Sequence, residues 1–510
     1  MAKKREIEEH VRLSTSTVWN VNRAYYSERG VRAWSADGLP FQVTSNPFVA
    51  DSFAQLIRSW IRDASVAQSS VHPYRIVELG AGTGQLGWHI CRELLKDTAL
   101  PDWTYTFTDL SERNVQAMRQ HPRLIKLLQR PEFTVETYDV ESNAQLPVGP
   151  GPAIVIATYV FDAVRQDAFE ISEGSLYECH AALTEHTGDH TGLDRLGILN
   201  ERRDFTPYGR SDWDRILTGY QSRLPNAFIL FPTAALQFVE RILKVRNELL
   251  LITCDKGYNH EIELIDAAAP ELTAHGSLSM MVNFDALGKW TDLHGGHRFH
   301  EPERDVSLVS AAFGFGVPSL PETSNTFRQV FSDFGPGDYY DLHAAFDFDA
   351  EPAMPLEPLL ALLRLGRFDP RLYYRMSDCI QGHIADMDEE QSRRMVRIGQ
   401  KVLQHTYPLM GTADTAFSVG LLFYDLDHYA EAIEAFNMSR RWYGPAKEVE
   451  HNIGLCLHAL SRPADALVAF ERAYELDPDW PEAQEALSRL RIELNVEGID
   501  SMGTEQSPED

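Results

Sequence analysis

The sequence has few basic residues for its length and no long apolar run. It has 47 lysines and arginines against 75 aspartates and glutamates in 510 residues, a formal net charge of −28. This charge repels phosphate backbones, so we do not expect nucleic acid as the main substrate, and it would attract a basic protein segment. No stretch of about 18 apolar residues occurs, so no membrane span is expected.

Cysteine is also scarce. The five cysteines show no Cys-x-x-Cys pair or other metal-ligand spacing, and neither do the 18 histidines, so no metal site is predicted. Isolated cysteines are typical of buried thiols in a reducing compartment. The N-terminal stretch MAKKREIEEHV lacks the apolar segment of a signal peptide. We therefore expect a cytoplasmic location.

A glycine-rich turn is the most informative feature that is present. Residues 76–87, IVELGAGTGQLG, read as an apolar strand with Glu78 near its end, a turn containing Gly80, Gly82 and Gly84, and the start of a helix. Because glycine has no Cβ and tolerates positive φ, such a turn brings backbone N–H groups and a helix N-terminus against a ligand. The spacing differs from the dinucleotide fingerprint G-x-G-x-x-G. We expect a nucleotide-like cofactor here.

Further apolar strands follow, and polar residues come where they end. YTFTD ends at Asp109 and FTVETYD ends at Asp139, and a helix over 88–97 completes a β-α-β unit with the first strand. The apolar strand AIVIA then leads into a segment that contains Tyr159 and Asp162. Ligands of open α/β sheets bind beyond the carboxyl ends of the strands. The four side chains are therefore predicted to lie around one site.

This ordered set resembles class I S-adenosylmethionine (SAM) methyltransferases. The resemblance implies that Glu78 and the glycines hold the methionine part of SAM, that Asp109 binds the ribose hydroxyls, and that Asp139 lies on the adenine side. It also implies that Tyr159 and Asp162 face the methyl acceptor.

A narrower resemblance is to MidA-like methyltransferases, which include a mitochondrial complex I assembly factor that methylates arginine on a partner subunit. It covers about residues 20–315, through TSNPF, VELGAGTGQL, TDLS, YVFDAVRQDAF and the segment from Gly276 to Leu287. The chain departs from the family at 158–159, Thr-Tyr instead of Asn-Glu, and at 164–165, Val-Arg instead of Leu-Pro. The first pair lies in the acceptor region, so the resemblance supports the cofactor more strongly than an arginine acceptor.

Methyl transfer requires mainly that the acceptor and the methyl group be held in line. A guanidinium acceptor arrives charged, so a carboxylate beside it would accept the released proton. Asp162 is the candidate, with Tyr159 as a wall or hydrogen-bond partner, and a helix-capping role is the alternative for Asp162. Aromatic residues of the leader, Tyr25, Tyr26 and Phe41, are predicted to cover the pocket.

Three local elements are also predicted. Residues 45–64 have the apolar spacing of an amphipathic helix, capped by Asp51 or Ser52. AFEISEGSLYECHAAL is predicted to form a hairpin with Glu173 at its turn. The stretch 185–225 reads as a polar, glycine- and charge-rich insertion.

The C-terminal third contains an internal repeat. GLLFYDLDHYAEAIEAF aligns with GLCLHALSRPADALVAF, and Gly420 and Phe436 recur 34 residues later as Gly454 and Phe470. This is the period of tetratricopeptide (TPR) repeats, which hold peptides in a groove. The predicted partner is therefore a protein or peptide substrate in that groove, and a homodimer through the repeats is the alternative.

The predicted fold class is α/β: a doubly wound, mostly parallel sheet with an N-terminal helical leader, followed by an all-α region. The predicted divisions are a leader and pocket cap at 1–74, a SAM methyltransferase domain at 75–320, a helical connector at 321–405, TPR repeats at 406–495 and a disordered tail at 496–510.

The predicted function is SAM-dependent methylation of a protein or peptide acceptor, with arginine as one candidate. Two alternatives remain open. One is a small-molecule or natural-product methyltransferase whose repeats serve dimerisation or partner recruitment. The other is a non-catalytic assembly factor that binds SAM.

Overall fold

The structure is a computed structural model of the chain. It describes residues 4–6, 8–30, 43–67, 71–186, 196–267, 269, 273–274, 278–302, 308–346 and 354–502. The chain divides into two compact units, Met1–Leu342 and His343–Asp510. Phe41 and Gly276, which the sequence analysis singled out, lie outside the described residues.

The first unit contains strands and helices in alternation. Its described strands are β1 (Lys4–Glu6), β2 (Val11–Arg12), β3 (Tyr74–Leu79), β4 (Trp103–Asp109), β5 (Phe133–Thr137), β6 (Ala153–Thr158), β7 (Asp167–Ser172), β8 (Ser175–His186), β9 (Leu196–Asp204), β10 (Ala227–Phe231), β11 (Leu249–Tyr258), β12 (Thr273–Ala274), β13 (Leu278–Ser279), β14 (Val282–Asn283), β15 (His297–His300) and β16 (Leu308–Phe315). Its described helices are α1 (Val18–Arg29), α2 (Pro47–Ala67), α3 (Gln85–Leu94), α4 (Glu112–Gln120), α5 (Pro122–Leu128), α6 (Ser211–Arg223), α7 (Thr233–Leu243), α8 (Phe284–Leu293), α9 (Pro321–Phe327) and α10 (Pro336–Ala345).

The central sheet has the order β5-β4-β3-β6-β11-β16-β15. The first five strands are parallel, and β16 runs antiparallel between β11 and β15. β3 pairs with β4 on one side and with β6 on the other, so the strand order reverses at β3. A crevice that can bind a ligand is expected beyond the carboxyl ends at such a switch point.

Burial explains why these segments form strands. All but the last residue of β6, AIVIAT, are buried, as expected for a central parallel strand covered on both faces. Val77 of β3, Val155 of β6 and Leu251 of β11 belong to one apolar core that also includes Phe238 and Trp290 from the helices. The predicted mixed α/β architecture with a central sheet is confirmed.

A second, antiparallel sheet is inserted between β6 and β11. It contains β7, β8, β9 and β10, and it is joined by β1 and β2 from the N-terminus. The predicted hairpin is confirmed as β7–β8, since Ser172 pairs with Ser175 across a turn in which Glu173 and Gly174 have positive φ. Where the sequence predicted only a polar insertion at 185–225, the structure has strand β9 and helix α6.

The leader packs as helices. α2 is confirmed, but its predicted caps are wrong: the helix begins at Pro47, and the side chain of Asn46 accepts the N–H of Val49 at 2.9 Å. Asp51 and Ser52 lie inside the first two turns, where the backbone is already helical. α2 packs against α3 and α9.

The second unit is helical. Its described helices are α11 (Leu356–Leu365), α12 (Pro370–Gln381), α13 (Glu389–His405), α14 (Thr415–Asp425), α15 (Tyr429–Tyr443), α16 (Lys447–Ala459), α17 (Pro463–Leu476) and α18 (Pro481–Met502). α18 extends over 496–502, which the sequence assigned to the tail, and 503–510 lie outside the described residues.

One side-chain contact recurs in this unit. α14 packs against α15, and a Cβ on Gly420 would lie 2.5 Å from the ring of Phe436. α16 packs against α17 in the same way, and a Cβ on Gly454 would lie 2.5 Å from the ring of Phe470. Each glycine therefore lets a phenylalanine of the next helix approach the backbone. In the described part of the chain, no helix is both long enough and apolar enough to cross a membrane.

Candidate active site

A cleft lies at the carboxyl ends of β3, β4 and β6. It contains about 740 Å³ of open space, and a smaller hollow of about 360 Å³ adjoins it. Gly80 and Tyr159 line both spaces. The larger space has mainly apolar walls, which include Leu79, Leu110, Tyr138, Val140 and Val160.

The glycine turn between β3 and α3 forms part of the wall of the cleft. Gly80, Gly82 and Gly84 all have positive φ, at 60°, 56° and 78°. A Cβ on Gly87, in the first turn of α3, would lie 2.2 Å from Oε2 of Glu78. Glycine at these positions therefore permits both the turn and the close approach of α3 to β3.

Glu78 lines the smaller hollow. Its side chain is buried and its Oε2 accepts the hydroxyl hydrogen of Tyr105 at 3.0 Å. Burial raises the pKa of Glu78 to about 8. Without a positively charged neighbour, this carboxyl is therefore largely protonated at neutral pH.

Asp109 lines the larger space at the end of β4. Its Oδ2 accepts the N–H of Gly82 at 2.9 Å, and its Oδ1 accepts the N–H of Ser111 at 2.8 Å and Nδ2 of Asn114 at 3.0 Å. Burial raises the pKa of Asp109 to about 6. Three of about four acceptor positions of this carboxylate are thus filled, which leaves one for a ligand hydroxyl.

Asn114 offers a second acceptor. This residue also lines the larger space, and its Oδ1 is buried and accepts no hydrogen bond within the described part of the chain. A buried amide oxygen without a donor is costly. A ligand N–H or O–H would satisfy it.

Asp139 lies in the cleft as predicted, but its carboxylate is already paired. Arg23 of α1 donates to both of its oxygens, at 2.5 and 3.1 Å, and this pairing helps to hold the pKa of Asp139 below its usual range. Arg23 also bonds to Glu141, which in turn accepts from Arg165. This polar edge of the cleft is therefore an ion-pair network in which α1 takes part.

Tyr159 projects over the junction of the two spaces. Its φ is 52°, a left-handed conformation that costs a non-glycine residue on the order of 1–3 kcal/mol and is often found at functional sites. Burial raises the pKa of the Tyr159 phenol further above its usual range. The phenol thus stays neutral, so it can donate or accept a hydrogen bond but does not serve as a base at neutral pH.

Asp162 does not line either space. It is buried in the short 3₁₀ turn Phe161–Ala163, and its carboxyl is hydrogen-bonded to that of Asp255 in β11. Burial raises the pKa of Asp162 to about 7. The structure therefore places this carboxyl beneath the cleft, and its proposed contact with the acceptor stays a prediction.

Most of the predicted site residues thus come together, and three polar residues were missed. Arg23 and Glu141 line the cleft, but a lone arginine of the leader carries no motif in the sequence. Asp255 had a readable signal, since it ends the apolar run LLLITC in the same way that Asp109 ends YTFT. Among the described residues, no group of three or more His, Cys, Asp or Glu side chains could hold a metal ion.

Comparison with known proteins agrees with this geometry. Residues 54–295 match the model of a family described as "Putative S-adenosyl-L-methionine-dependent methyltransferase". No curated protein matches the chain.

Several solved structures are similar to parts of the chain. An uncharacterised protein from Burkholderia thailandensis has 15% identity and a TM-score of 0.40, with 62% of this chain and 90% of that chain covered. A related Burkholderia thailandensis protein bound to S-adenosyl-homocysteine has 15% identity and a TM-score of 0.37, with 55% and 80% covered. Magnesium protoporphyrin IX methyltransferase from Synechocystis has 11% identity and a TM-score of 0.28, with 58% and 99% covered.

The site fits the cofactor that the matched family uses. The free acceptor position of Asp109, the unsatisfied Oδ1 of Asn114 and the apolar walls suit the ribose and the base of such a cofactor. Glu78 lines the smaller hollow, and an ammonium group placed there would favour its charged form. The matched region contains the whole glycine turn and the residues that follow β4, β5 and β6. The protein is a SAM-dependent methyltransferase, and S-adenosyl-L-methionine is its cofactor.

Proposed function

We propose that this enzyme methylates a protein or peptide acceptor and that the helical unit binds the acceptor as a TPR-like array. The observation that carries the proposal is the repeated contact of Gly420 with Phe436 and of Gly454 with Phe470, in helix pairs 34 residues apart. A small-molecule acceptor would not need such an array, whereas TPR arrays hold extended peptides.

Charge supports an acceptor of basic character. The chain carries a net charge of −28, which favours association with a positively charged segment and opposes nucleic acid. Arginine is the candidate acceptor side chain through the resemblance to MidA-like enzymes. All five cysteines are buried and none of them forms a disulfide, which fits a reducing compartment such as the cytoplasm.

The roles of the chain's own residues follow from the site. SAM, when bound, supplies the electrophilic methyl group. The glycine turn, Asp109 and Asn114 fix the cofactor, and Tyr159, which lines both spaces, offers a neutral hydroxyl. Positioning of this kind can contribute on the order of 7–11 kcal/mol to the rate.

Labelled SAM and whole-cell lysate test the acceptor class. The purified full-length protein, incubated with SAM labelled in the methyl group and with lysate, is expected to transfer label to acid-precipitable protein. Label that appears only in the acid-soluble fraction would identify a small-molecule acceptor instead. Binding of SAM without any transfer of label would favour a non-catalytic role.

Two leucines test the helical unit. Leu421 and Leu455 follow the equivalent glycines of α14 and α16 and are half-buried. Leu421→Asp with Leu455→Asp should raise KM for the protein acceptor at least tenfold without a change in SAM affinity. Val468→Asp is the control, because Val468 is an exposed apolar residue of α17, the second helix of its pair. Equal KM values for the two variants would show that the helical unit does not bind the acceptor through these leucines.

A further inference from the structure

Three consecutive backbone N–H groups converge on one carboxylate oxygen below the cleft. Oδ2 of Asp255 accepts the N–H groups of Val160, Phe161 and Asp162 at 3.0, 2.9 and 3.3 Å. Its Oδ1 accepts the N–H of Lys256 at 2.8 Å. Asp255 is fully buried, so these four N–H groups replace the hydrogen bonds that water would otherwise donate to its carboxylate.

The turn that this carboxylate holds begins at Tyr159. The N–H of Tyr159 donates to the carbonyl of Cys254 at 3.1 Å, and Cys254 directly precedes Asp255 in β11. The backbone of Tyr159 is therefore held by its own hydrogen bond to β11 and by the N–H groups of the next three residues, which donate to Asp255. Such bonds are what a left-handed, non-glycine residue requires, because its own backbone conformation is unfavourable.

The neighbours of Asp255 locate its charge. The carboxyl of Asp162 is hydrogen-bonded to it, and the ammonium group of Lys256 acts on Asp162 and donates to Ser279 Oγ at 3.2 Å. Two buried carboxyls in contact cannot both be charged, and four N–H donors stabilise the charge on Asp255. Burial and the contact with Asp162 raise the pKa of Asp255 well above its usual range, and the N–H groups that it accepts oppose this rise.

We propose that Asp255 is a positioning residue of the methyltransferase: its carboxylate fixes the 159–162 turn and thereby holds the Tyr159 side chain over the junction of the two spaces of the cleft. Asp255 lines neither space of the cleft. Its effect on the cofactor passes through Tyr159, which lines both spaces. The proposal concerns SAM binding and is independent of the nature of the acceptor.

Asp255→Asn tests this role, because it keeps the volume and turns one acceptor into a donor that faces N–H groups. We expect SAM affinity, measured by calorimetry, to fall at least tenfold. The matched control is Asp63→Asn. Asp63 is also buried and caps a backbone turn, with Thr323 N–H at 2.8 Å and Glu322 N–H at 3.3 Å, but it does not line the cleft. The Asp63→Asn protein should lose thermal stability, but its SAM affinity should stay within twofold of that of the unaltered protein.

A double-variant cycle separates positioning from general destabilisation. If Asp255 acts through Tyr159, Tyr159→Ala alone should weaken SAM binding, and adding Asp255→Asn should weaken it by less than twofold more. Independent effects that multiply, or an Asp255→Asn protein with unchanged SAM affinity, would overturn the proposal.

Hydrogen exchange of the unaltered protein provides a measurement that does not require any variant to fold. The amides of Val160 and Phe161 should exchange at least 100-fold more slowly than the unstructured rate before SAM is added. Fast exchange at both amides would show that Asp255 does not hold the turn, and would also overturn the proposal.

Discussion

Asp109 is tied to the cofactor site by its own hydrogen bonds as well as by its place at the end of β4. It fixes the N–H of Gly82 and retains one acceptor position toward the larger space. Asp109→Ala should therefore weaken SAM binding by about 1–3 kcal/mol, through loss of a ligand hydrogen bond and a looser glycine turn. Calorimetry measures this. Asp102→Ala, an exposed aspartate just before the same strand, is the control and should bind as the unaltered protein does.

Gly82 tests the turn itself. It has φ 56° between Gly80 and Gly84, so a β-branched residue would be strained there and would project a side chain at the ligand. Gly82→Val should abolish measurable SAM binding. Gly209→Val places the same side chain at φ 70° in an open turn, and it should bind SAM normally. Unchanged affinity in Gly82→Val would contradict the assignment of the glycine turn to SAM.

At the scale of single residues, the sequence located side chains that follow strands but not what those side chains contact. Asp109 and Asp139 both line the cleft, because parallel strands bring their carboxyl ends to one edge. The pairing of Asp139 with Arg23 joins residues 116 positions apart, and it depends on how α1 packs. Asp162 was assigned to the acceptor side, but one turn of backbone directs its carboxyl to Asp255.

At the scale of elements, α1 forms part of the cofactor site. Its Arg23 and Tyr26 line the larger space, and Arg23 joins Asp139 and Glu141. Arg23→Gln removes these ion pairs, so α1 should be cleaved several-fold faster in limited proteolysis, and SAM should protect it less. The control is Arg62→Gln on α2, an exposed arginine that pairs with Asp97 outside the cleft. Equal cleavage rates at α1 in both variants would show that Arg23 does not fasten this helix.

Prediction of elements succeeded where the hydrophobic pattern was strong. β3, β4, β6 and β11 are apolar runs, and the structure has each of them. β9 was missed because LGILNERRD mixes apolar and charged residues, and its formation depends on pairing with β8. The start of α2 was misplaced because Asn46 precedes a proline, and Pro47 at the first helical position is favourable rather than disruptive.

At the scale of the whole molecule, buried acids make stability depend on pH. Burial raises the pKa of Glu78 to about 8, that of Asp162 to about 7 and that of Asp109 to about 6. An acid whose pKa is raised in the folded state contributes stability that is fully present below its unfolded pKa, near 4. That contribution is lost as the pH rises through the folded value. Asp139 acts in the opposite sense, since Arg23 lowers its pKa and the resulting stability is lost in acid.

The first unit should therefore be most stable near about pH 4 and should lose stability as the pH rises from there to about pH 8. Glu78→Gln removes the largest of these contributions. At about 1.4 kcal/mol per pKa unit, the rise from 4.5 to about 8 sets an upper limit of about 5 kcal/mol on the stabilisation at pH 8.5, and we expect almost none at pH 4.5. Scanning calorimetry without SAM measures this stabilisation. The unfolding transition of the first unit is identified beforehand as the one that shifts when SAM is added. The control is Glu136→Gln, a half-exposed glutamate of β5 that should leave the pH dependence unchanged. If Glu78→Gln gave the same gain at both pH values, the carboxyl of Glu78 would not be the group that titrates, and its burial beside Tyr105 would have to be reconsidered.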